Sequence, residues 1–419
     1  MSSIFNHTKL NPLKINAFLL QLMAFVLPLS KRLMPVLIIL WVVNSLFFIG
    51  LNKKRLVKQA KPSMLILLYV LYVVWFFISP YKDSAMFDLE VKLSLLLFPL
   101  GFYFTGNYLP KRNQIFKSFI YGITVGLTGL IFRALYYYIA QNETLYFTYS
   151  EFSLYMHTSY YAMYVCWALF LLISNYFSSN VKRFFSSGII YLFLGLLFSG
   201  AIFLLASKTG IIAWVLLMLY AVVLYYLNTR KIIPIIALFS TLALMFVALV
   251  NVNNKLLLRF REAYHVLVAD DSGKAFSSTT ARAKIWPLAW ELIKKNPVGY
   301  GTGAEKETLK AKYLANGMTV AYEKGLNAHN QFLQTGLALG WLGLLLLIVL
   351  FSRFIYLGYK YDEWFLFGFA IITIINFITE SMLETQAGVI FFAFFYSLLD
   401  AYFMRDYSHL QKKTVFLRR

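Results

Sequence analysis

Two polar residues in the segment 277–343 have the side chains and the setting to carry out chemistry. Arg282 follows a run of serines and threonines that predicts the start of a helix, where a guanidinium and free backbone N–H groups together favour phosphate. His329 lies between Asn327 and Asn330 at the beginning of an apolar run, and an imidazole there can accept a proton from a hydroxyl near neutral pH. The pair predicts chemistry on a lipid-anchored substrate. The alternative is that the arginine is merely solvated and the histidine only helps the asparagines to cap a helix.

Four further polar residues are predicted on the same face of the membrane. Lys208 interrupts a nearly continuous apolar run. It is either a functional residue or a lysine whose amine extends to the membrane interface. Arg133 is predicted to be unpaired near the outer end of a span, which is costly unless it faces a cavity. His157 begins another span, before Tyr160, and Glu380 precedes the last predicted one. A shared polar cavity could bring these side chains together with Arg282 and His329.

The segment between the arginine and the histidine has its own pattern. Trp286, Trp290 and Ile293 recur at helical spacing and predict an apolar face suited to lying on the membrane. The helix is expected to end at Pro297, and the glycines at 299–303 predict a turn whose backbone can approach a ligand closely.

The elements that must position these residues are predicted to be membrane spans. The chain is 60% hydrophobic and 14% charged, which excludes an ordinary soluble domain. About twelve stretches approach the roughly 20 apolar residues that a spanning helix needs. They are 16–30, 33–50, 63–79, 88–105, 115–140, 159–175, 187–206, 210–227, 232–251, 331–351, 364–379 and 387–404. The expected fold is therefore an all-α polytopic membrane protein. Its first span is short and interrupted by Pro28, so it is expected to form a tilted or hairpin pair with the second.

The distribution of lysine and arginine predicts the orientation. Basic residues concentrate in alternate short loops, in 51–62, 106–117, 176–186, 230–231 and 352–363 and in the tail. The intervening short loops are poor in them, so both termini are expected inside and the long segment 252–328 outside. This divides the chain into spans one to nine at 1–251, an outer loop at 252–328, and spans ten to twelve with a basic tail at 329–419.

Composition also limits the partners. Part of the net charge of +21 is explained by the inside loops, which would contact anionic headgroups of the bilayer. The basic residues are scattered among loops without a recognition module, so nucleic acid is not expected as a partner. The single Cys166 lies in an apolar run, and none of the five histidines is spaced four residues from another. Neither a disulfide framework, a metal site nor a cofactor is therefore predicted.

The order of motifs in the outer loop resembles the O-antigen ligase and O-antigen polymerase superfamily of bacterial inner-membrane glycosyltransferases. The resemblance is carried by Arg282, Trp286, the Pro297-Val298-Gly299-Tyr300-Gly301 turn and Asn327-Ala328-His329-Asn330. It extends to the overall plan, with one long periplasmic loop before the tenth span. One difference is Lys208, in a Ser-Lys-Thr-Gly sequence where members of the family typically have arginine, so a bidentate contact would become a point charge.

The resemblance implies a reaction and roles for the residues. Arg282 would bind the pyrophosphate of an undecaprenyl-pyrophosphate-linked glycan donor, helped by Lys208 and Arg133, because the leaving group needs cations where its charge develops. His329 would activate the hydroxyl of a lipid-anchored or glycan acceptor, such as the lipid A core, and displacement would invert the anomeric carbon without a metal. Supporting roles are expected at Asn327, Asn330, His157, Tyr160 and Glu380.

Two alternatives remain open from the sequence. A polymerase of the same superfamily would use the same chemistry on a second lipid-linked glycan. A flippase or exporter of lipid-linked oligosaccharides would also have many spans and buried cations, but it predicts inverted halves and broken helices at the membrane midplane. No such symmetry is visible in the sequence.

Overall fold

The computed structural model describes residues 12–51, 63–105, 108–178, 182–230 and 278–416. Within these ranges all regular secondary structure is helical, which confirms the predicted all-α class. Numbered in chain order, the described helices are α1 Pro12–Val26, α2 Met34–Leu51, α3 Leu65–Ile78, α4 Lys82–Lys92, α5 Ser94–Thr105, α6 Arg112–Gln141, α7 Tyr149–Phe152, α8 Thr158–Phe177, α9 Gly188–Leu204, α10 Lys208–Thr229, α11 Ser278–Lys295, α12 Glu305–Ala315, α13 Thr319–Glu323, α14 Gln331–Lys360, α15 Trp364–Thr379 and α16 Gln386–Phe416. Short 3₁₀ turns occupy Leu145–Phe147 and Met382–Glu384.

The helices of the described segments indicate a multi-pass membrane protein. Five of them, α6, α8, α10, α14 and α16, are long and apolar enough to cross a bilayer. Another five, α1, α2, α3, α9 and α15, are apolar but shorter. The predicted span at 232–251 lies outside the described residues, as does the first part of the long loop.

The first two helices form the expected hairpin. Pro28 lies in the turn between them, and the two helices pack together with Trp41 Nε1 donating to Asn16 Oδ1 at 2.8 Å. Both side chains are buried. The hydrogen bond satisfies two polar groups that would otherwise be costly inside an apolar pair of helices.

The prediction of one span over 88–105 is wrong. The structure divides this stretch at Leu93 into the end of α4 and the separate helix α5. Helix α4 begins well before the apolar run, and its buried side chains include Asp88 and Lys92. A buried lysine needs carboxylates around it, so the position of α4 is decided by charge pairing that an apolar count does not detect.

A second correction concerns the inside loop predicted at 352–363. Helix α14 continues through most of it to Lys360. Arg353 therefore lies on a helix, where its Nη2 donates to Asp400 Oδ1 of α16 at 2.6 Å. The sequence predicts Arg353 as one of the basic residues of an inside loop, whereas in the structure it joins α14 to α16.

The glycine turn at 297–301 packs against other helices. Helix α14 departs from helical geometry at Gly340, and the turn fits against this kink. Tyr300 N donates to Leu337 O at 2.8 Å, and Trp341 N donates to Pro297 O at 2.9 Å. A Cβ at Gly299 would clash with the backbone of Gly340. The close backbone approach expected for a ligand is thus used to dock the loop on α14.

Candidate functional site

A carboxylate at the end of α15 brings together the polar residues at the candidate site. Glu380 Oε1 accepts hydrogen bonds from Arg282 Nη2 at 2.9 Å and from Ser159 Oγ at 3.0 Å. Its second oxygen, Oε2, lies 3.4 Å from His329 Nδ1. The Glu380 site, as we call these four residues, therefore joins segments from α8, α11, α15 and the start of α14. The predicted supporting residue Glu380 is its centre.

The electrostatics of Glu380 are dominated by its positive neighbours. Burial alone would raise the pKa of Glu380, since its charged form loses solvation. The hydrogen bond from His329 and the positive charge of Arg282 outweigh that effect, and His157 adds to them, so the pKa is lowered below the ordinary glutamate value. Glu380 is consequently a carboxylate at neutral pH and accepts hydrogen bonds through both oxygens.

Helix α11 places Arg282 beside Glu380. Its inner face buries Ile285 and Ile293, while Trp286 Nε1 donates to Ala328 O at 3.0 Å. This bond ties the arginine helix to the residue just before His329. The predicted membrane-facing stripe is therefore wrong for Ile293, which is fully buried against Gly336, and only Trp290 of the three is exposed.

His329 lies in a strained turn that is fixed by its neighbours. Its backbone φ is +45°, in the left-handed region that residues other than glycine rarely adopt. Asn327 Oδ1 accepts from His329 N at 2.9 Å, and Asn330 Oδ1 caps α14 by accepting from Leu333 N at 3.1 Å. Such strain persists only where the surrounding structure holds it, and it concentrates at functional sites. Here it directs the imidazole toward Glu380.

The start of α8 provides the third side of the site. His157 caps this helix, its Nδ1 accepting from Ser159 N at 3.4 Å. Tyr160 OH donates to Ser381 O at 3.4 Å and so contacts the residue after Glu380. Ser159 was not among the predicted site residues. A serine among aromatic residues at a helix start carries no distinguishing signal, and only its contact with Glu380 reveals it.

Lys208, a predicted site residue, is the first residue of α10, next to a residue that contacts the end of α15. Ser207 caps this helix by accepting from Gly210 N at 3.2 Å. Thr209 Oγ1 and Thr379 Oγ1 are 2.7 Å apart, which places the start of α10 against the residue preceding Glu380. The side chain of Lys208 is half-buried at this junction.

Arg133 is not the unpaired cation that the sequence predicts. Its Nη1 donates to Glu151 O at 2.7 Å, and its guanidinium lies over the Tyr146 ring at 4.8 Å. Tyr146 in turn stacks on Tyr137 with 3.9 Å between the ring centroids. These contacts hold the 142–157 segment onto α6, which is a structural role.

An apolar groove of about 450 Å³ runs beside the site between α11 and α14. Its walls include Trp286, Trp290, Leu333 and Leu344, and Ala283 and Asn330 line the same groove. The last two are the chain neighbours of Arg282 and His329. The apolar groove therefore begins one residue away from both Arg282 and His329, an arrangement that fits a molecule with an anionic head and a hydrocarbon tail.

Comparison with known proteins agrees with the resemblance found in the sequence. No curated protein matches the chain. Residues 191–348 match the family model described as "O-Antigen ligase", a stretch that contains Arg282, His329 and Lys208 but ends before Glu380. Over residues 191–348 the chain is thus similar to the O-antigen ligase superfamily, and this match supports the family that the order of its motifs predicted.

Proposed function

We propose that this protein is a glycosyltransferase of the O-antigen ligase type, acting at the periplasmic face of the bacterial inner membrane. It transfers a glycan from undecaprenyl pyrophosphate to a hydroxyl of a lipid-anchored acceptor. The observation that carries the proposal is the convergence of Arg282, Glu380 and His329 from three separate segments. The family match over 191–348 supports the same class of reaction.

Arg282 is the proposed site for the donor pyrophosphate. A guanidinium has five donors, so it can keep its bond to Glu380 and still present N–H groups to phosphate oxygens. Lys208 is the second proposed cation, because its chain neighbour Thr209 contacts Thr379, the residue before Glu380. The apolar groove beside Ala283 has the position and lining to accept the first isoprenoid units of the lipid. Arg133, held by Glu151 and the tyrosines, is a weaker candidate than it was in the sequence.

His329 is the proposed base, and Glu380 orients it. The carboxylate accepts from Nδ1–H, which leaves the Nε2 lone pair to take the proton of the acceptor hydroxyl. The hydroxyl oxygen then bonds to the anomeric carbon as the carbon–oxygen bond to the pyrophosphate breaks. The electron pair of that bond leaves with the pyrophosphate, where Arg282 stabilises it. A single displacement of this kind inverts the anomeric carbon.

A reconstituted reaction tests the proposal. Purified protein in lipid is given an undecaprenyl-pyrophosphate-linked glycan and a lipid A-core acceptor, and the product is analysed for linkage and anomeric configuration. We expect transfer with inversion, and undiminished transfer when a metal chelator is present. Retention of configuration would contradict direct displacement, and movement of the donor across the membrane without transfer would favour an exporter.

A polymerase is the second candidate, because the family match covers both activities. The same reconstitution distinguishes them when the acceptor is changed. Elongation of a second lipid-linked glycan, without transfer to lipid A core, would identify a polymerase. The residues named above would keep their roles in either case.

The proposed location requires the Glu380 site to face the periplasm. Reporter fusions at Lys274, in the long loop, and at the C-terminal Arg419 test this. Alkaline phosphatase should be active at the first position, and a fluorescent protein should be fluorescent at the second. Phosphatase activity at Arg419 would overturn the orientation.

A further inference from the structure

A fully buried lysine lies on the side of the Glu380 turn away from the candidate base. Lys92, at the end of α4, has no exposed surface. Its ammonium forms ion pairs with Asp88 of the same helix and with Glu384 Oε1 at 3.0 Å. It also lies over the Tyr72 ring of α3 at 4.9 Å. An ion buried this completely is tolerated only with close partners.

The carboxylates around Lys92 come from separate parts of the chain. Asp88, Glu305 and Glu384 bring oxygen atoms within 4.8 Å of one another. Carboxylates at this spacing could hold a divalent cation. In this protein, however, the Lys92 ammonium pairs with two of them and supplies positive charge itself. We call these four residues the Lys92 cluster.

The cluster connects to the Glu380 site through one short turn. Glu384 ends the 3₁₀ turn that begins two residues after Glu380. The same turn is held by Leu383 N donating to Gln331 Oε1 at 2.6 Å, and Gln331 starts the helix that follows His329. Glu305 belongs to the outer loop, directly after the glycine turn. Lys92 is thus paired with the turn that follows Glu380, and the Glu305 carboxylate, from the loop that carries Arg282, lies beside the carboxylates that it pairs with.

We propose that Lys92 is a positioning residue for the transfer reaction. Its buried ammonium anchors the turn at Glu384 and thereby sets where the Glu380 carboxylate meets Arg282 and His329. This inference rests on the proposed function, since it assigns a role relative to that site. Lys92 does not touch the substrate.

The physical reason is that the Glu380 carboxylate has to satisfy three partners at once. Arg282, His329 and Ser159 lie on different segments, so a shift of the turn would lengthen at least one of these contacts. A misplacement of about 1 Å at a catalytic group can cost on the order of 10²-fold in rate. An ion pair whose ammonium has no exposed surface resists such a shift better than a solvated contact, because separating the charges would leave the lysine unpaired in the protein interior.

The test compares Lys92→Met with Lys82→Met in the reconstituted transfer assay. Lys82 lies on the same helix but is exposed, so it controls for the loss of a lysine from α4. We expect kcat of Lys92→Met to fall by about 10- to 100-fold, with KM for the donor changed by less than about twofold because Arg282 remains. Lys82→Met should transfer at the wild-type rate.

A double variant separates positioning from a general loss of structure. If Lys92 acts through Glu380, adding Lys92→Met to Glu380→Gln should lower kcat by no more than about twofold beyond Glu380→Gln alone. If the decreases in kcat caused by the two single substitutions multiply in the double variant, the two residues act independently and the inference is wrong. A folded Lys92→Met protein with wild-type kcat would also overturn it.

A second variant keeps the test sound should Lys92→Met fail to fold. In Glu384→Ala the lysine keeps its partner Asp88, so the buried charge stays paired while the anchor of the turn is removed. We expect the same loss of kcat. If Glu380→Gln transfers slowly while folded Glu384→Ala transfers at the wild-type rate, the positioning role of Lys92 is wrong but the proposed function stands. Wild-type transfer by Glu380→Gln would contradict the proposed function itself.

Discussion

Glu380 and Glu305 are equally buried, at 7% and 3% exposed, yet their ionisation is shifted in opposite directions. Burial favours the neutral acid in both. At Glu380 the hydrogen bond from His329 and the charge of Arg282 overcome burial, and the pKa is lowered. At Glu305 burial and the neighbouring carboxylates Asp88 and Glu384 act together, so the pKa is raised well above the ordinary value despite Lys92. Where two carboxylates are buried to a similar extent, their neighbours decide the direction in which the pKa is shifted.

The two regions also differ in access. The side chains of Arg282 and His329 are 18% and 28% exposed, whereas that of Lys92 is fully buried. Arg282 and His329 are therefore within reach of a ligand, as the proposed reaction requires. The Lys92 ammonium is not, which fits the positioning role proposed for it. This contrast is what separates groups proposed to react from groups proposed to position them, and the following variants test it.

The largest effect is expected at His329. His329→Gln keeps a polar side chain in the turn but removes the base, so transfer should fall by about 10²–10⁴-fold. The measurement is the rate of transfer with purified donor and acceptor, alongside the folded yield. Full activity in His329→Gln would require another base.

The next largest effect is expected at Arg282. Arg282→Ala should slow transfer by about 10²–10³-fold, corresponding to roughly 2.7–4 kcal/mol, because the developing charge on the pyrophosphate loses its partner. Arg282→Lys should recover only part of this, since the forked geometry is lost. Lys284→Ala, an exposed basic residue on the same helix, is the matched control. Near-normal transfer by Arg282→Ala would move the pyrophosphate site toward Lys208.

The opposite pKa shifts predict opposite effects of pH on stability. The pKa of Glu380 is lowered in the folded protein. Its contribution to the free energy of unfolding is therefore complete above the unfolded pKa of about 4.3, and it is lost as pH falls through the folded pKa. The pKa of Glu305 is raised in the folded protein, so the free energy of unfolding decreases as pH rises from the unfolded pKa of about 4.3 toward the folded pKa.

Thermal unfolding in detergent at several pH values measures the difference. At pH 7 Glu380→Gln should melt about 1–4 °C below the wild type, and Glu305→Gln should melt above it by a similar amount. Both differences should shrink at pH 4. A lower melting temperature for Glu305→Gln at pH 7 would contradict the assignment of opposite electrostatic environments.

The smallest effect is expected at Asn330. Its side chain caps α14 through Leu333 N and has no proposed part in bond making. Asn330→Ala should cost about 0.5–2 kcal/mol of stability, as the loss of a helix cap does, and should lower transfer far less than His329→Gln. Asn330→Ser, which keeps a capping oxygen, should restore most of the stability. A loss of transfer as large as that of His329→Gln would give Asn330 a direct role.

Local patterns in the chain were sufficient for the all-α class of fold and for the proposal of Arg282 and His329 as site residues. Apolar runs of spanning length predict helices because a bilayer requires every backbone group to be paired within its own segment. Arg282 and His329 could be proposed because a cation at a helix start and a histidine at the edge of an apolar run are both visible in a few consecutive residues. The match over 191–348 agrees with the family that the motifs predict.

The partners of charged side chains were decided only by the tertiary structure. Arg133, predicted to be unpaired, donates to the backbone carbonyl of Glu151, and Arg353, predicted in an inside loop, pairs with Asp400. Lys92 meets Glu384 across 292 positions of the chain, and Glu380 meets Ser159 across 221. An ion in a low-dielectric interior must find an opposite charge or a dipole wherever the packing of helices brings one. Periodicity and composition describe what each segment is, but which segments become neighbours depends on how all of their faces fit together.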